Sequence, residues 1–249
     1  MRASASRGAT RFRARATRAL ELAPASPAAR EMLRFASRLS EAQARTFEEL
    51  EVLHAGVPLS GSLARDGERV LAHLGHVAGL LSEPAPGNLL AYWGGARRGA
   101  ADAVARVQLR PYVELLRELG IPPDASRAAG CCPFCGAAPL LALRRGGAQG
   151  EGAARSLLCG LCGNEWGVAR IRCPVCAEAD PARLPNFHAE EYPSVRLEAC
   201  EGCRRYLKSL EVAGRNPEFP EVDELLSVAL DLWAEEQGFT RPEPALPGL

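Results

Sequence analysis

Apolar residues recur at helical spacing through the first half of the chain and lose that rhythm at Cys131. Behind Ser26-Pro27, where proline suits the first helical position, Met32, Phe35, Ala36, Leu39, Phe47 and Leu50 repeat with a period near 3.6. A second helix is expected from Leu63 to Leu81, with Val70, Leu71, Leu74, Val77, Ala78 and Leu81 on one face. A third, rich in alanine, is expected from Leu89 to Leu109. Pro111 then restarts a short helix through Tyr112, Leu115, Leu116 and Leu119 that Gly120 ends. Ile121-Pro122-Pro123-Asp124 reads as a linker. Past Cys131 glycine and proline rise, and Ser156-Leu157-Leu158 and Val195-Arg196-Leu197 read as hairpin strands leading into cysteine pairs. Helical spacing returns over Pro220–Gln237, with Leu225, Val228, Ala229, Leu232 and Trp233 inward and Gly238 as cap. The expected fold is α+β: a disordered basic tail (1–25), a helical domain (26–124), a metal-binding domain (130–208), and a C-terminal helix and tail (209–249).

Length and charge narrow the classes. The 249 residues suit two domains, and 47% apolar content can bury a core. Thirty basic residues balance thirty acidic ones, which counts against a general nucleic-acid binder. Six arginines and no acid occupy the first eighteen residues, without the apolar stretch of a secretory signal. No apolar run has a membrane span's length. The chain is therefore expected in the cytoplasm, where thiols stay reduced. Lys208 is the only lysine, so arginine is the default cation and Lys208 stands out as a position where it does not substitute.

Eight of the nine cysteines form four Cys-x-x-Cys pairs: Cys132/Cys135, Cys159/Cys162, Cys173/Cys176 and Cys200/Cys203. A shift of 41 residues carries the first two pairs onto the last two, so the segment is an internal duplication. A duplicated unit that folds by itself closes its own site. Cys132, Cys135, Cys159 and Cys162 are thus expected to share one ion, and Cys173, Cys176, Cys200 and Cys203 the other; a cross-brace of alternate pairs is the competing arrangement. The two-residue spacing lets both sulfurs of a pair meet one ion across a tight turn, as in rubredoxin or zinc-ribbon modules. Pro133 and Pro174 stiffen two of these turns. Gly136 and Gly163 follow the second cysteine, where a positive φ suits glycine; Ala177 and Arg204 at the matching places predict a less regular second unit. Four thiolates leave no open position, which favours structure or electron transfer over hydrolysis. Sulfur ligation suits iron and zinc alike.

The run Cys132-Pro133-Phe134-Cys135-Gly136, then Cys159 to Trp166, Arg170 to Cys176, and Cys200 to Lys208 resembles the bacterial formate dehydrogenase accessory protein family, FdhE. Val222 to Leu225, Leu230-Asp231-Leu232 and Gly238 to Arg241 resemble that family's C-terminal pattern, although Glu224 follows Asp223 where the family tends to have two aspartates. The resemblance covers roughly residues 25–245. It implies a cytoplasmic, non-enzymatic factor that contacts the molybdenum- or tungsten-containing catalytic subunit of formate dehydrogenase. It also implies rubredoxin-type iron and self-association as a homodimer.

The remaining residues carry less. His73 and His76, three apart on a helix, and the solitary His54 and His188 read as ordinary histidines; His188 is the one placed to replace a cysteine ligand. Trp166, Tyr206 and Leu207 follow knuckles and are expected to shield the sulfurs. Glu165, Arg170, Arg204, Arg205 and Lys208 read as a solvated charged collar suited to steering a partner. Phosphate-loop and serine-hydrolase motifs are absent from the sequence, and only Cys131 is spared for nucleophilic chemistry. The competing functions are a zinc-ribbon nucleic-acid regulator and a rubredoxin-like electron carrier.

Overall fold

The computed structural model describes residues 7–81, 86–95, 100–125, 130–146, 154–212 and 219–247. The expected disordered tail is corrected over most of its length, because Arg7–Leu22 forms helix α1. Ala9, Phe12, Ala16 and Ala19 fall on one helical face and are buried. The arginines between them pair off: Arg13 with Glu48 at 2.8 Å and Arg18 with Asp223 at 2.7 Å. Both arginines stay partly exposed while reaching carboxylates in distant segments. α1 packs against α2 (Arg30–Gly56), whose buried face holds Leu33, Leu39, Phe47 and Leu50.

The expected Leu63–Leu81 helix is broken into α3 (Leu63–His73) and α4 (Gly75–Ala78) at Leu74, where ψ opens to −2°. The next two expected helices are also redrawn as α5 (Pro86–Trp93) and α6 (Ala100–Glu118). α6 runs straight through Pro111. The missing amide costs a hydrogen bond, but Val107, Leu109, Tyr112, Val113 and Leu116 are buried on both sides of it and hold the helix together. Among the described residues, no helix is long and apolar enough to cross a membrane.

The cysteine segment builds one six-stranded sheet in the order β3-β2-β1-β6-β5-β4, from β1 (Pro139–Arg145), β2 (Ala154–Cys159), β3 (Glu165–Gly167), β4 (Asn186–His188), β5 (Val195–Cys200) and β6 (Arg205–Val212). The 41-residue shift maps β2 onto β5 residue for residue. Within each unit the strands are antiparallel neighbours. The units join where β1 lies parallel to β6, with Ala142 opposite Ser209 and Leu143 opposite Leu210. Two copies of a small motif thereby share one sheet and one core.

One sheet face, carrying Leu141, Leu143, Leu197, Tyr206 and Leu210, packs in a core with Leu33 and Leu39 of α2 and with the C-terminal segment. The opposite face carries only a small apolar cluster of Ala142, Leu157 and Leu207. The single expected C-terminal helix is α7 (Pro220–Asp223), a 3-10 turn (Glu224–Ser227) and α8 (Val228–Glu236). A 3-10 turn advances roughly 120° per residue against 100° in an α-helix, so it rotates the buried stripe. Leu230, Asp231 and Ala234 face inward, while Leu232, expected inward, is 56% exposed. The expected α+β class is present: helices, then a sheet with two four-cysteine clusters, then a C-terminal helix.

Candidate metal centre

Each Cys-x-x-Cys turn closes with the same backbone hydrogen bond. Gly136 N donates to Cys132 O (2.9 Å), Gly163 N to Cys159 O (3.1 Å), Ala177 N to Cys173 O (3.0 Å) and Arg204 N to Cys200 O (2.9 Å). The donor residue is left-handed in all four, with φ of 74°, 66°, 65° and 56°. Ala177 and Arg204 are the only non-glycine residues with positive φ among those described. The second unit therefore repeats the first unit's backbone, and the expectation of irregularity there is corrected. The strain, about 1–2 kcal/mol at each, is tolerated because the turn aims two sulfurs at one point. At Arg204 the guanidinium also stacks 3.8 Å from the Phe239 ring centroid.

The structure brings together Cys132, Cys135, Cys159 and Cys162 in one group and Cys173, Cys176, Cys200 and Cys203 in another. Within each group the four Sγ atoms lie within 4.8 Å of one another. Each quartet lies within one unit, not across the two. Sγ separations are 3.6 Å for Cys132–Cys162, 3.4 Å for Cys135–Cys159, 3.7 Å for Cys173–Cys203 and 3.6 Å for Cys176–Cys200. A disulfide needs about 2.05 Å. Four sulfurs placed tetrahedrally about 2.3 Å from an ion stand roughly 3.8 Å apart. The quartets match that second geometry, so both clusters can hold a metal ion. Backbone amides of Leu161 (3.4 Å) and Cys162 (3.5 Å) point at the Cys159 sulfur, and Val175 N (3.4 Å) at that of Cys173. Such donors stabilise thiolate charge. The thiols cannot all ionise by themselves: hydrogen bonds from Cys135, Cys159 and Cys162 pull Cys132 down, while Cys135 and Cys162 are pushed up.

The two quartets differ in burial. Cys132, Cys135, Cys159 and Cys162 are each 2% exposed or less and belong to the apolar core built by Phe47, Leu109, Tyr112 and Leu116. Arg106 of α6 reaches over this site and donates to Gly160 O at 3.3 Å. In the second quartet Cys176 is exposed and Cys203 half-buried. The helices seal the first site and leave the second at the surface.

Other residues singled out by sequence fall in different places. His73 and His76 both face Glu49, at 3.1 and 2.7 Å, and His54 Nδ1 accepts from Leu59 N. None of them, nor His188 or Cys131, joins a quartet. Trp166 packs on the first site's core, whereas the Tyr206 hydroxyl donates to Asp231 at 2.7 Å. Lys208 leaves the solvated collar altogether. It is 1% exposed, with Nζ 2.7 Å from Glu224 and 2.6 Å from Asp231. Arg241 meets the same two carboxylates at 3.2 and 3.1 Å. A second buried network, Arg15 and Arg110 with Glu114 and Glu221, ties α1 and α6 to α7 at 2.7–3.0 Å. Sequence reading missed both networks; the lone lysine was the one signal toward the first.

Residues 171–246 match the family model described as FdhE, C-terminal domain, and residues 131–170 the model described as FdhE, central domain. Both matches are to FdhE domains, and together they cover residues 131–246. The break between the family's two domains falls in the spacer between the cysteine units. An FdhE homolog of Aquifex aeolicus is 32% identical over 112 residues, covering 45% of this chain and 39% of that protein. The Pseudomonas putida homolog is 33% identical over 135 residues, covering 51% and 42%. The chain thus spans about two fifths of the length of these curated relatives. The crystal structure of the FdhE protein from Pseudomonas aeruginosa superposes with a TM-score of 0.66 at 25% identity and covers 96% of both chains. That likeness includes the helical half, which lies outside both family models.

Proposed function

We propose that this chain is a cytoplasmic accessory factor for formate dehydrogenase, docking on its catalytic subunit and catalysing no reaction of its own. Each cysteine quartet holds one ion, iron or zinc. The matches to the two FdhE domain models support the client. The observation that carries the docking role is the unequal burial of two otherwise matching sites. The first quartet is spent inside the core, where its ion contributes folding free energy. The second leaves Cys176 exposed and carries backbone strain at Ala177 and Arg204, yet sits where a partner can reach it. If its ion is iron, the exposed Cys176 favours a redox contact with the client over a purely scaffolding one.

Deleting the gene in its host should abolish formate-dependent dye reduction while the catalytic subunit is still made. The wild-type gene should restore it. Full activity in the deletion strain would sink the accessory reading. Metal analysis of the purified chain should give two ions, with visible ferric-thiolate bands separating iron from zinc.

A further inference from the structure

The open sheet face beside the second quartet carries a cavity of about 520 Å3 whose wall includes Cys173 and Cys200. Five arginines line it, Arg144, Arg155, Arg170, Arg172 and Arg205, against one acid, Glu198. Arg155 is not available to a ligand. It pairs with Glu198 at 2.7 Å and donates to the carbonyls of Ala169 (3.1 Å) and Arg172 (3.0 Å). Those bonds fasten the loop that leads into Cys173. Arg205 donates to Arg241 O at 2.9 Å. Arg170 and Arg172, on the fastened loop, are exposed, and among the described residues neither is paired with a carboxylate. Between and beside them stand two exposed apolar side chains, Ile171 (57%) and Val175 (43%).

We propose that this face receives an acidic, extended peptide segment of a protein partner, its carboxylates on Arg170 and Arg172 and its apolar side chains on Ile171 and Val175. The inference rests on the accessory reading for the partner's identity, but the surface itself is argued from this chain. The charge excess selects an anion. A nucleic-acid backbone would use the arginines and leave the two branched apolar residues in water. A shallow groove flanked by apolar side chains fits alternating acidic and apolar residues of a strand. Because the second quartet forms one wall, its fold and the docking surface are the same object.

The test uses the metal-loaded full chain and purified formate dehydrogenase catalytic subunit, measured by biolayer interferometry at two salt concentrations. The probes run in parallel are an alternating Glu-Leu octapeptide and a single-stranded DNA oligonucleotide. The variants are Arg170→Glu/Arg172→Glu, Ile171→Ser/Val175→Ser, and a control reversal at the exposed and distant Arg38 and Arg65, each checked for unchanged metal content and circular dichroism. The expected result is binding by wild type that both surface pairs weaken tenfold or more. Charge reversal should also flatten the salt dependence, and the control should bind as wild type. If the subunit binds and the reversal changes nothing, the surface is wrong while the accessory reading stands. If the subunit does not bind but the octapeptide does, through Arg170 and Arg172, the accessory reading fails and the surface stands. DNA binding through those arginines in preference to the peptide, or no binding of any probe, overturns the proposal.

Discussion

Replacing Lys208 with methionine removes one member of a buried, charge-neutral set of two cations and two carboxylates. In the native protein the ammonium touches Glu224 Oε2 at 2.7 Å, Asp231 Oδ2 at 2.6 Å and the Glu224 carbonyl at 2.8 Å. Methionine fills much of the volume and none of the charge, so Arg241 is left against two carboxylates in a site closed to water. Breaking a buried ion set in this way costs about 3–5 kcal/mol. At a urea slope of about 2 kcal/mol/M that is a midpoint lowered by roughly 2 M with the slope unchanged. Burial pushes the Glu224 carboxyl up, but Arg241 and Lys208 outweigh it and hold the group below the usual carboxylate range. That contribution is present above the unfolded carboxylate value and is lost as pH falls. Without Lys208 the Glu224 carboxyl rises, so the deficit is largest near neutral pH and narrows toward roughly pH 4. Lys208→Arg should also lose about 1–3 kcal/mol, because the larger guanidinium overpacks a site that is 1% exposed. The assay is urea unfolding of the metal-loaded chain, followed by circular dichroism across that pH range. A Lys208→Met protein within about 1 kcal/mol of wild type at pH 7, or a deficit that grows as pH falls, would refute the reasoning.

Ala177→Gly should raise stability by about 1 kcal/mol by relieving a φ of 65°, and Gly136→Ala should lower it by a similar amount; equal midpoints for both would show that the left-handed turn carries no cost. In chelator competition followed by native mass spectrometry, the ion of the second quartet should leave first. Cys176→Ser should lose one ion with the helical signal intact, whereas Cys162→Ser, inside the core, should unfold much of the chain. Burial opposes ionisation of Glu114, but Arg15 and Arg110 hold its carboxyl at about 2. Its stabilisation is therefore full above the ordinary carboxylate value and lost as pH falls through about 2. Glu114→Gln should cost about 3–5 kcal/mol at pH 7, a gap that closes in acid; a gap independent of pH would count against the ion network.

The two cysteine quartets were legible in the chain because their grouping depends on short spacings. Two residues between cysteines decide that a turn can present two sulfurs, and the 41-residue repeat decides which turns belong together. Both are local or periodic properties, so Cys132 to Cys203 could be grouped before any fold was known. The strands ending at Cys159 and Cys200 were visible for the same reason. What the sequence left undetermined depends on distant partners. The six arginines near the start looked like a solvated tail, yet three of them find carboxylates at positions 48, 114, 221 and 223. Helix α6 crosses Pro111 because packing on both sides outweighs a local penalty. Lys208 looked solvated and is buried, since its neighbours Glu224 and Asp231 arrive only when the C-terminal turn folds onto β6. The inequality of the two sites is decided at that same level. Knuckles of the same backbone geometry become a sealed centre and an open one because the core of α2 and α6 closes over the first quartet, while nothing described covers Cys176 of the second.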